Sequence, residues 1–307
     1  MENNSKKLKV GYAALIGRPN VGKSTLLNKI LNEKVAITSD KPQTTRTSIL
    51  GIKTTERGQI IFVDNPGIHK PLHKLNRRMM NFVDSALETA DVICLLIDAT
   101  LRFGHGDEYV LDFLKRVSTP VILLINKVDI VKKGNILLMI DKYKDLFDFR
   151  EIIPISALKG TNLDALENSL YALLPEAEKL YGDEDITVQS ERFLLSEIIR
   201  EKLLAHVKQE LPFVTAVHIS TIVEIPPKDP DSPKNPVKHI KATIFVEKDS
   251  HRVILIGRHG SMVKTIGTEA RKDMENILDT RVYLDLKIKV KERWRDQADV
   301  LSLIEDQ

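Results

Sequence analysis

The chain has one cysteine, Cys94, in 307 residues. That scarcity excludes a disulfide framework and any multi-cysteine metal site. No apolar run approaches the ~18 residues of a membrane span, so no transmembrane segment is expected. Nor is there an excess of one charge sign. Lys and Arg total 46 against 43 Asp and Glu, a net +3, so the chain as a whole is neither a polybasic tail nor an acidic solvating segment. Met1 to Lys9 is polar with three lysines, and no apolar stretch of about 7–15 residues with a cleavage site follows, so no secretory leader is expected. What remains is 42% apolar residues, a globular composition. At roughly 150 residues per domain the length corresponds to about two domains, each long enough to bury a core.

The patterning supports that count. Residues 8–17 form an apolar run ending at glycine, followed by a helical stretch over 23–32. Segments 46–54 and 58–64 predict an antiparallel pair around Glu56-Arg57-Gly58. The runs 91–98 and 120–126 are continuously apolar, as strands covered on both faces are, and 151–156 predicts a last short strand before a helix over 161–174. Strands alternating with helices imply an α/β, doubly wound, mostly parallel sheet. Pro175, Gly182 and Asp183-Glu184-Asp185 mark a composition shift near 175–189, read as a solvated linker. Beyond it, an amphipathic helix over 190–208 carries Leu194, Ile198 and Ala205 on one side. Strands follow over 213–225 and 238–247, separated by a loop holding Pro226, Pro227, Pro230, Pro233 and Pro236, which cannot extend a ladder. A short helix (251–256), a glycine-bounded turn (257–260), a longer helix (261–278) and an alternating strand (281–291) complete the chain.

Residues 17–24 read Gly-Arg-Pro-Asn-Val-Gly-Lys-Ser. This is G-x-x-x-x-G-K-[ST] between a strand and a helix, the context of a phosphate-binding loop. Backbone N–H groups and a helix N-terminus line an anion-binding concavity. Gly17 and Gly22 allow close backbone approach, with Asn20, Val21 and Thr25 in or beside the loop. Lys23 would reach the β- and γ-phosphates and Ser24 would ligate Mg²⁺. Asn126-Lys127-Val128-Asp129 follows the strand 120–126, at the carboxyl end where α/β sheets bind ligands. Asp129 can accept from N1–H and the exocyclic amine of guanine, a donor pair that adenine lacks. Ser156-Ala157 would add a backbone N–H to guanine O6. Asp64-Asn65-Pro66-Gly67 would place Asp64 on the metal through water and the Gly67 N–H on the γ-phosphate. Thr44 and Thr45 lie in the polar stretch 38–47. Thr45 is the preferred metal ligand, engaged only in the triphosphate state, so two loops would sense one phosphate.

In this order and spacing, GxxxxGKS, TT, DxxG, NKxD and SA resemble a translation-factor-related P-loop GTPase, and GRPNVGKS resembles the Era-like branch. The resemblance implies GTP hydrolysis to GDP and phosphate. It also implies a slow intrinsic rate, because Ile68 stands where Ras-like proteins carry a water-orienting glutamine. It implies a catalytic set of Lys23, Thr45, Gly67 and Asn20. In related GTPases an asparagine at the position of Asn20 helps hold K⁺ beside the phosphates. The family usually reads Asp-Thr-Pro-Gly, and this chain has Asn65 instead. Arg18 and Arg46 are nearby, read as surface or substrate-phosphate contacts rather than arginine fingers.

The second half holds Gly257-Arg258-His259-Gly260 between an apolar helix and a long helix. Helix, GxxG, helix and alternating strand, preceded by a helix and two strands, resemble an α+β type II KH domain, αββααβ, whose loop clamps about four nucleotides. The run GTEARKDMENIL is similar to the Era signature beyond the loop. Gly257, Arg258, His259, Gly260, Lys264 and Arg271 are the candidate RNA contacts. Ile254, Ile256, Val263 and Ile266 would floor the groove or fill the core; the core reading is preferred. Residues 251–295 hold eleven basic and six acidic side chains, a net +5, although 183–307 as a whole is net −2. A local strip of that sign binds phosphates in a salt-dependent way. Trp294 would stack on a base or anchor the C-terminal helix, with anchoring preferred.

The resemblance to the Era family spans nearly the whole chain. It implies a GTPase domain over 1–177, a linker over 178–189 and a KH domain with a C-terminal helix over 190–307. It further implies a cytoplasmic monomer, linked in this family with the inner membrane surface, that uses GTP/GDP and Mg²⁺. Its partner would be 16S rRNA near the 3′ end, in 30S subunit assembly. The alternatives are a GTPase of RNA modification, for which Cys94 is misplaced, and a GTP-stabilised RNA chaperone. Cys94 is expected to be a buried small hydrophobe. His69 and His73 are read as exposed switch residues, and Lys74, Arg77 and Arg78 as a solvated helix face.

Overall fold

The computed structural model describes residues 7–226 and 236–305. They form two compact units, divided after Val188, with His73–Leu75 counted in the second. The first is a six-stranded sheet in the order β2-β3-β1-β4-β5-β6. Its strands are β1 (Lys9–Gly17), β2 (Ile49–Thr55), β3 (Gly58–Asp64), β4 (Val92–Asp98), β5 (Val121–Asn126) and β6 (Glu151–Pro154). Every pairing is parallel except β2 with β3. The helices are α1 (Lys23–Leu31), α2 (Lys74–Thr89), α3 (His105–Leu114), α4 (Lys133–Tyr143) and α5 (Leu163–Leu173). All residues of β3, β4 and β5 are buried, as strands covered on both faces must be. Such burial forces the polar residues to the strand ends. Gly17, Asp64, Asp98 and Asn126 all close a strand at the same edge of the sheet, which is where parallel sheets bind ligands.

The segment read as a linker is more ordered than its composition suggests. Its acidic side chains are exposed, but its backbone runs along the first sheet. The Val10 N–H donates to Pro175 O, Ala177 N–H to Leu8 O and Ile52 N–H to Ile186 O. The fully buried Gln59 accepts from Leu180 N–H and Tyr181 N–H at 3.0 Å each, and donates to Tyr181 O at 3.1 Å. Thr187 Oγ1 donates to Leu50 O at 2.6 Å. Charge pattern predicts where side chains point; it is silent about a backbone that pairs with an edge strand.

The second unit holds α6 (Glu191–His206), α7 (Leu211–Val214), β7 (Ala216–Ile225), β8 (Val237–Val246), α8 (Asp249–Ile256), α9 (Ser261–Leu278), β9 (Arg281–Val290) and α10 (Ala298–Glu305). Strand β8 is central, antiparallel to β7 and parallel to β9. Ser190 caps α6 by accepting from Phe193 N–H. The buried stripe of α6 is Leu195, Ile198, Ile199 and Leu203; Ala205, expected on that stripe, is exposed. The start of the expected strand 213–225 is instead the short α7, where Pro212 occupies the first helical turn. The alternating side of β9 (Val282 to Val290) packs on the core that α6, α8 and α9 share. Trp294 is fully buried, and its indole N–H donates to Val214 O at 2.8 Å, so it anchors. Pro227, Pro230 and Pro233 of the proline loop lie outside the described residues.

Gln59→Ala removes the side chain that pairs with residues 180–181. It should cost about 1–3 kcal/mol of stability, the penalty for leaving those backbone groups without a partner. Urea unfolding followed by circular dichroism measures it.

Candidate nucleotide site and nucleic-acid surface

The loop from Pro19 to Ser24 and the segment from Ile37 to Thr45 line a cleft of about 570 Å³. Gly22 has φ 101°, and a Cβ there would sit 2.3 Å from Asn126 Nδ2. Glycine is therefore required twice over, by dihedral and by space. Lys23, the first residue of α1, is buried; its Nζ donates to Arg18 O at 3.2 Å and Gly17 O at 3.4 Å. Burial lowers its ammonium to about 8, with Asp64 pulling the other way.

Asp64 is fully buried at the end of β3. Ser24 Oγ donates to its Oδ2 at 2.5 Å, and Ser24 Oγ lies 3.0 Å from Thr45 Oγ1. Thr44 turns away and donates to Lys41 O at 2.6 Å. Burial raises the Asp64 carboxyl to about 6, against the charge of Lys23 and hydrogen bonds from Ser24 and Thr45. Its second oxygen, Oδ1, is buried with no hydrogen-bond partner. Two hydroxyls and a carboxylate with an unspent oxygen are a hard-oxygen donor set that fits Mg²⁺. Gly67 sits against the loop so closely that a Cβ would lie 2.6 Å from Pro19 N. The Ile68 N–H donates to Gly17 O at 3.0 Å. His69 is not the exposed residue expected: its Nδ1 lies 2.7 Å from Gly67 O.

A second recess, of about 210 Å³, adjoins the cleft through Gly22, Thr25 and Lys127 and is lined by Asn126, Asp129, Ser156 and Ala157. Asn126 is a staple. Its Nδ2 donates to Val21 O at 2.7 Å, and its Oδ1 accepts from Ala157 N–H at 2.9 Å. The Ser156 N–H likewise goes to Thr161 O, so in this arrangement neither amide expected to face the base is unspent. Ser156 acts through its hydroxyl instead, donating to Asp129 Oδ1 at 2.7 Å. Lys127 Nζ donates to Asn20 O at 3.0 Å and to Asp98 Oδ2 at 2.6 Å. Burial pushes the Asp98 carboxyl up, but bonds from Lys127 and Thr100 outweigh it and hold it below the usual range. Asp98 escaped sequence reasoning. The signal for it is a carboxylate that closes a buried parallel strand in register with Asn126.

Other residues move from their expected places. Arg18 does not point into the cleft: its guanidinium donates to Asp107 Oδ2 at 3.0 Å, a carboxylate in the first turn of α3. Asn20 Nδ2 donates to Asp40 O at 2.7 Å. Cys94 is fully buried, and burial pushes its thiol up to about 12, which leaves no reactive thiolate.

In the second unit, Gly257, His259 and Gly260 all have positive φ (70°, 51° and 78°), so the GxxG forms a tight single turn between α8 and α9. Arg258, His259, Lys264 and Arg271 are exposed, the last two seven residues apart on one face of α9. Ile254 and Ile256 are 50% and 39% exposed; only Ile266 of the expected core set is fully buried. Helix α8 buries the face that carries His251 and Leu255, four residues apart, so Ile254 and Ile256, one residue to either side of Leu255, fall off that face. They form an exposed apolar patch beside a basic turn. Among the described residues no helix is long and apolar enough to cross a membrane.

Two family models match the chain: a 50S ribosome-binding GTPase over residues 12–127 and a KH domain over 236–295. Two solved structures resemble it along nearly their full length. One is Era in complex with MgGDPNP and nucleotides 1506–1542 of 16S ribosomal RNA. It is 41% identical, covering 97% of this chain and 98% of that one, with a TM-score of 0.91. The other is a single-site variant of Aquifex aeolicus Era bound to GDP·AlF4⁻. It is 40% identical over 97% and 99% of the two chains, with a TM-score of 0.90.

Asp98→Ala frees Lys127 from its carboxylate partner and should weaken GDP and GTP alike by about tenfold, the loss of a charge-assisted hydrogen bond. Ser156→Ala should weaken both by about threefold to fivefold, because Asp129 loses its orienting bond. Titration with fluorescent nucleotides measures both.

Proposed function

The chain belongs to the Era family of GTPases, and we propose that it hydrolyses GTP to GDP and phosphate while binding the 3′ region of 16S rRNA, in the assembly of the 30S subunit. One observation carries this reading. A phosphate loop, a buried oxygen cluster and an amide-stapled base recess adjoin in one unit, in a chain whose other unit presents an exposed basic GxxG turn.

In this mechanism the Asn20–Thr25 loop turns its backbone N–H groups to the phosphates from the N-terminus of α1. Lys23 lies along the β- and γ-phosphates, where the added negative charge offsets the burial that lowers its pKa. Ser24, Thr45 and Asp64 would hold Mg²⁺, which supplies charge neutralisation at the phosphate oxygens. The Gly67 N–H meets the γ-phosphate and is pressed to the loop by the Ile68-to-Gly17 bond. Asp129, aimed by Ser156, accepts from guanine. Hydrolysis is slow because Ile68 has no polar group to orient water. Asn20, as in related GTPases, would help hold K⁺ beside the phosphates. RNA phosphates run along the GxxG turn, with Arg258, Lys264 and Arg271 supplying charge and Ile254 and Ile256 supplying apolar contact to bases. GTP raises RNA affinity and hydrolysis lowers it. The protein works in the cytoplasm, with peripheral attachment at the inner face of the cell membrane.

The decisive experiment is binding to a fluorescent RNA of the 16S 3′ end, with a GTP analogue and with GDP. Tighter binding with the analogue is expected; equal affinity overturns the coupling. Replacing Gly260 with Asp should weaken RNA binding at least tenfold and leave GTP binding unchanged, since a carboxylate then faces the phosphates. Asp129→Asn should shift preference from GTP to xanthosine triphosphate, read by phosphate release. Hydrolysis at the same rate in Na⁺ and K⁺ would dismiss the role given to Asn20.

A further inference from the structure

The oxygen cluster is one part of a larger circuit. Ser24 bonds Asp64 and lies beside Thr45. Three residues after Thr45, Ser48 Oγ donates to Asn65 Oδ1 at 2.7 Å, and Asn65 directly follows Asp64. Asn65 is fully buried. Its Nδ2 donates to Val63 O at 2.9 Å and Leu15 O at 3.5 Å, so both halves of the amide are committed. The last ladder pair of β2 and β3 is Ile49 with Asp64. The Ser48–Asn65 bond therefore extends that ladder by one side-chain step. It does so where β2 meets the segment carrying Thr45, and where β3 meets the segment carrying Gly67.

We propose that Asn65 and Ser48 are positioning residues: their bond holds Thr45 within reach of Ser24 and Asp64, and so sets the preference for GTP over GDP. The inference rests on the GTPase reading above and on Thr45 acting only in the triphosphate state. Residues 33–48 contain no helix or strand, so the segment carries the conformational entropy of a loop. Fixing Ser48 leaves two residues between a pinned position and Thr45. A buried amide that lost its donor would carry an unsatisfied oxygen, so the bond persists as long as Asn65 stays buried. A ligand that uses Thr45 gains from this preorganisation; a ligand that uses the phosphate loop and base recess alone does not.

The test compares Ser48→Ala and Asn65→Leu, neither of which keeps the bond, with the unaltered protein. Affinity for GDP and for a non-hydrolysable GTP analogue is measured in Mg²⁺ with fluorescent nucleotides. The expected result is analogue affinity weakened about fivefold to tenfold, the worth of one net hydrogen bond, with GDP affinity changed less than about twofold. Ser48→Thr, which keeps the hydroxyl, should restore the analogue. Equal weakening of both nucleotides, or no change in either, overturns the proposal. If Asn65→Leu fails to fold, the half-buried Ser48 carries the test alone. An unaltered protein that binds neither guanine nucleotide would sink the GTPase reading itself, a result distinct from failure of the clasp.

Discussion

A single buried carboxylate organises the first unit. Asp64 has no exposure to water, and burial raises its carboxyl to about 6 even against the charge of Lys23 and hydrogen bonds from Ser24 and Thr45. A group so placed survives only with partners, because an isolated buried charge costs several kcal/mol. The partners come from three different parts of the chain: Ser24 from the start of α1, Thr45 from an irregular segment, and the charge of Lys23. Asp64 itself closes β3. The need to satisfy one side chain thus draws a helix start, a loop and a strand end to one point. Its oxygen without a hydrogen-bond partner makes that point a place for a hard cation rather than a purely structural knot.

The base recess follows the same logic. Asn126 is buried, and its amide is divided between two loops, Val21 on one side and Ala157 on the other. Lys127 divides its ammonium between Asn20 and Asp98. Residues that a sequence pattern assigns to base recognition are also the bolts that fix the phosphate loop to the sheet edge. That double duty explains why Gly22 tolerates no side chain, since Asn126 occupies the space. It also implies that substitutions in this region change phosphate binding as well as base selectivity.

Much of this was legible in the sequence because strand periodicity, the phosphate loop and the Asn-Lys-x-Asp run are local signals. Buried strands show as continuous apolar runs, and helix α9 falls on its predicted bounds because Gly260 and the alternation after Thr280 bracket it. What was not legible depends on partners distant in sequence. Ala205 is seven residues from the buried Ile198, but the core-facing stripe of α6 runs through Leu195, Ile199 and Leu203 instead. Ile254 and Ile256 read as core or groove floor, with core preferred, yet α8 buries the face of His251 and Leu255 and leaves them at the surface. The acidic run 183–185 reads as a free connector, yet Gln59, more than a hundred residues away, pairs with the backbone just before it. Arg18 reads as a surface or substrate-phosphate contact, and the pairing with Asp107 on α3 that takes it out of the cleft has no local signal. In the second unit, whole-domain charge is acidic, and only the position of the basic strip beside the GxxG supports the RNA reading proposed above.

On the proposed function, Asp64, Ser24 and Thr45 act as one cation-dependent cluster through which GTP is distinguished from GDP. The most direct measurement is the affinity of a GTP analogue as a function of Mg²⁺ concentration, for the unaltered protein and for Asp64→Asn. Steep tightening with Mg²⁺ is expected in the unaltered protein and a nearly flat response in the variant, with similar affinities when Mg²⁺ is chelated. A full Mg²⁺ response in the variant would remove Asp64 from the cation site.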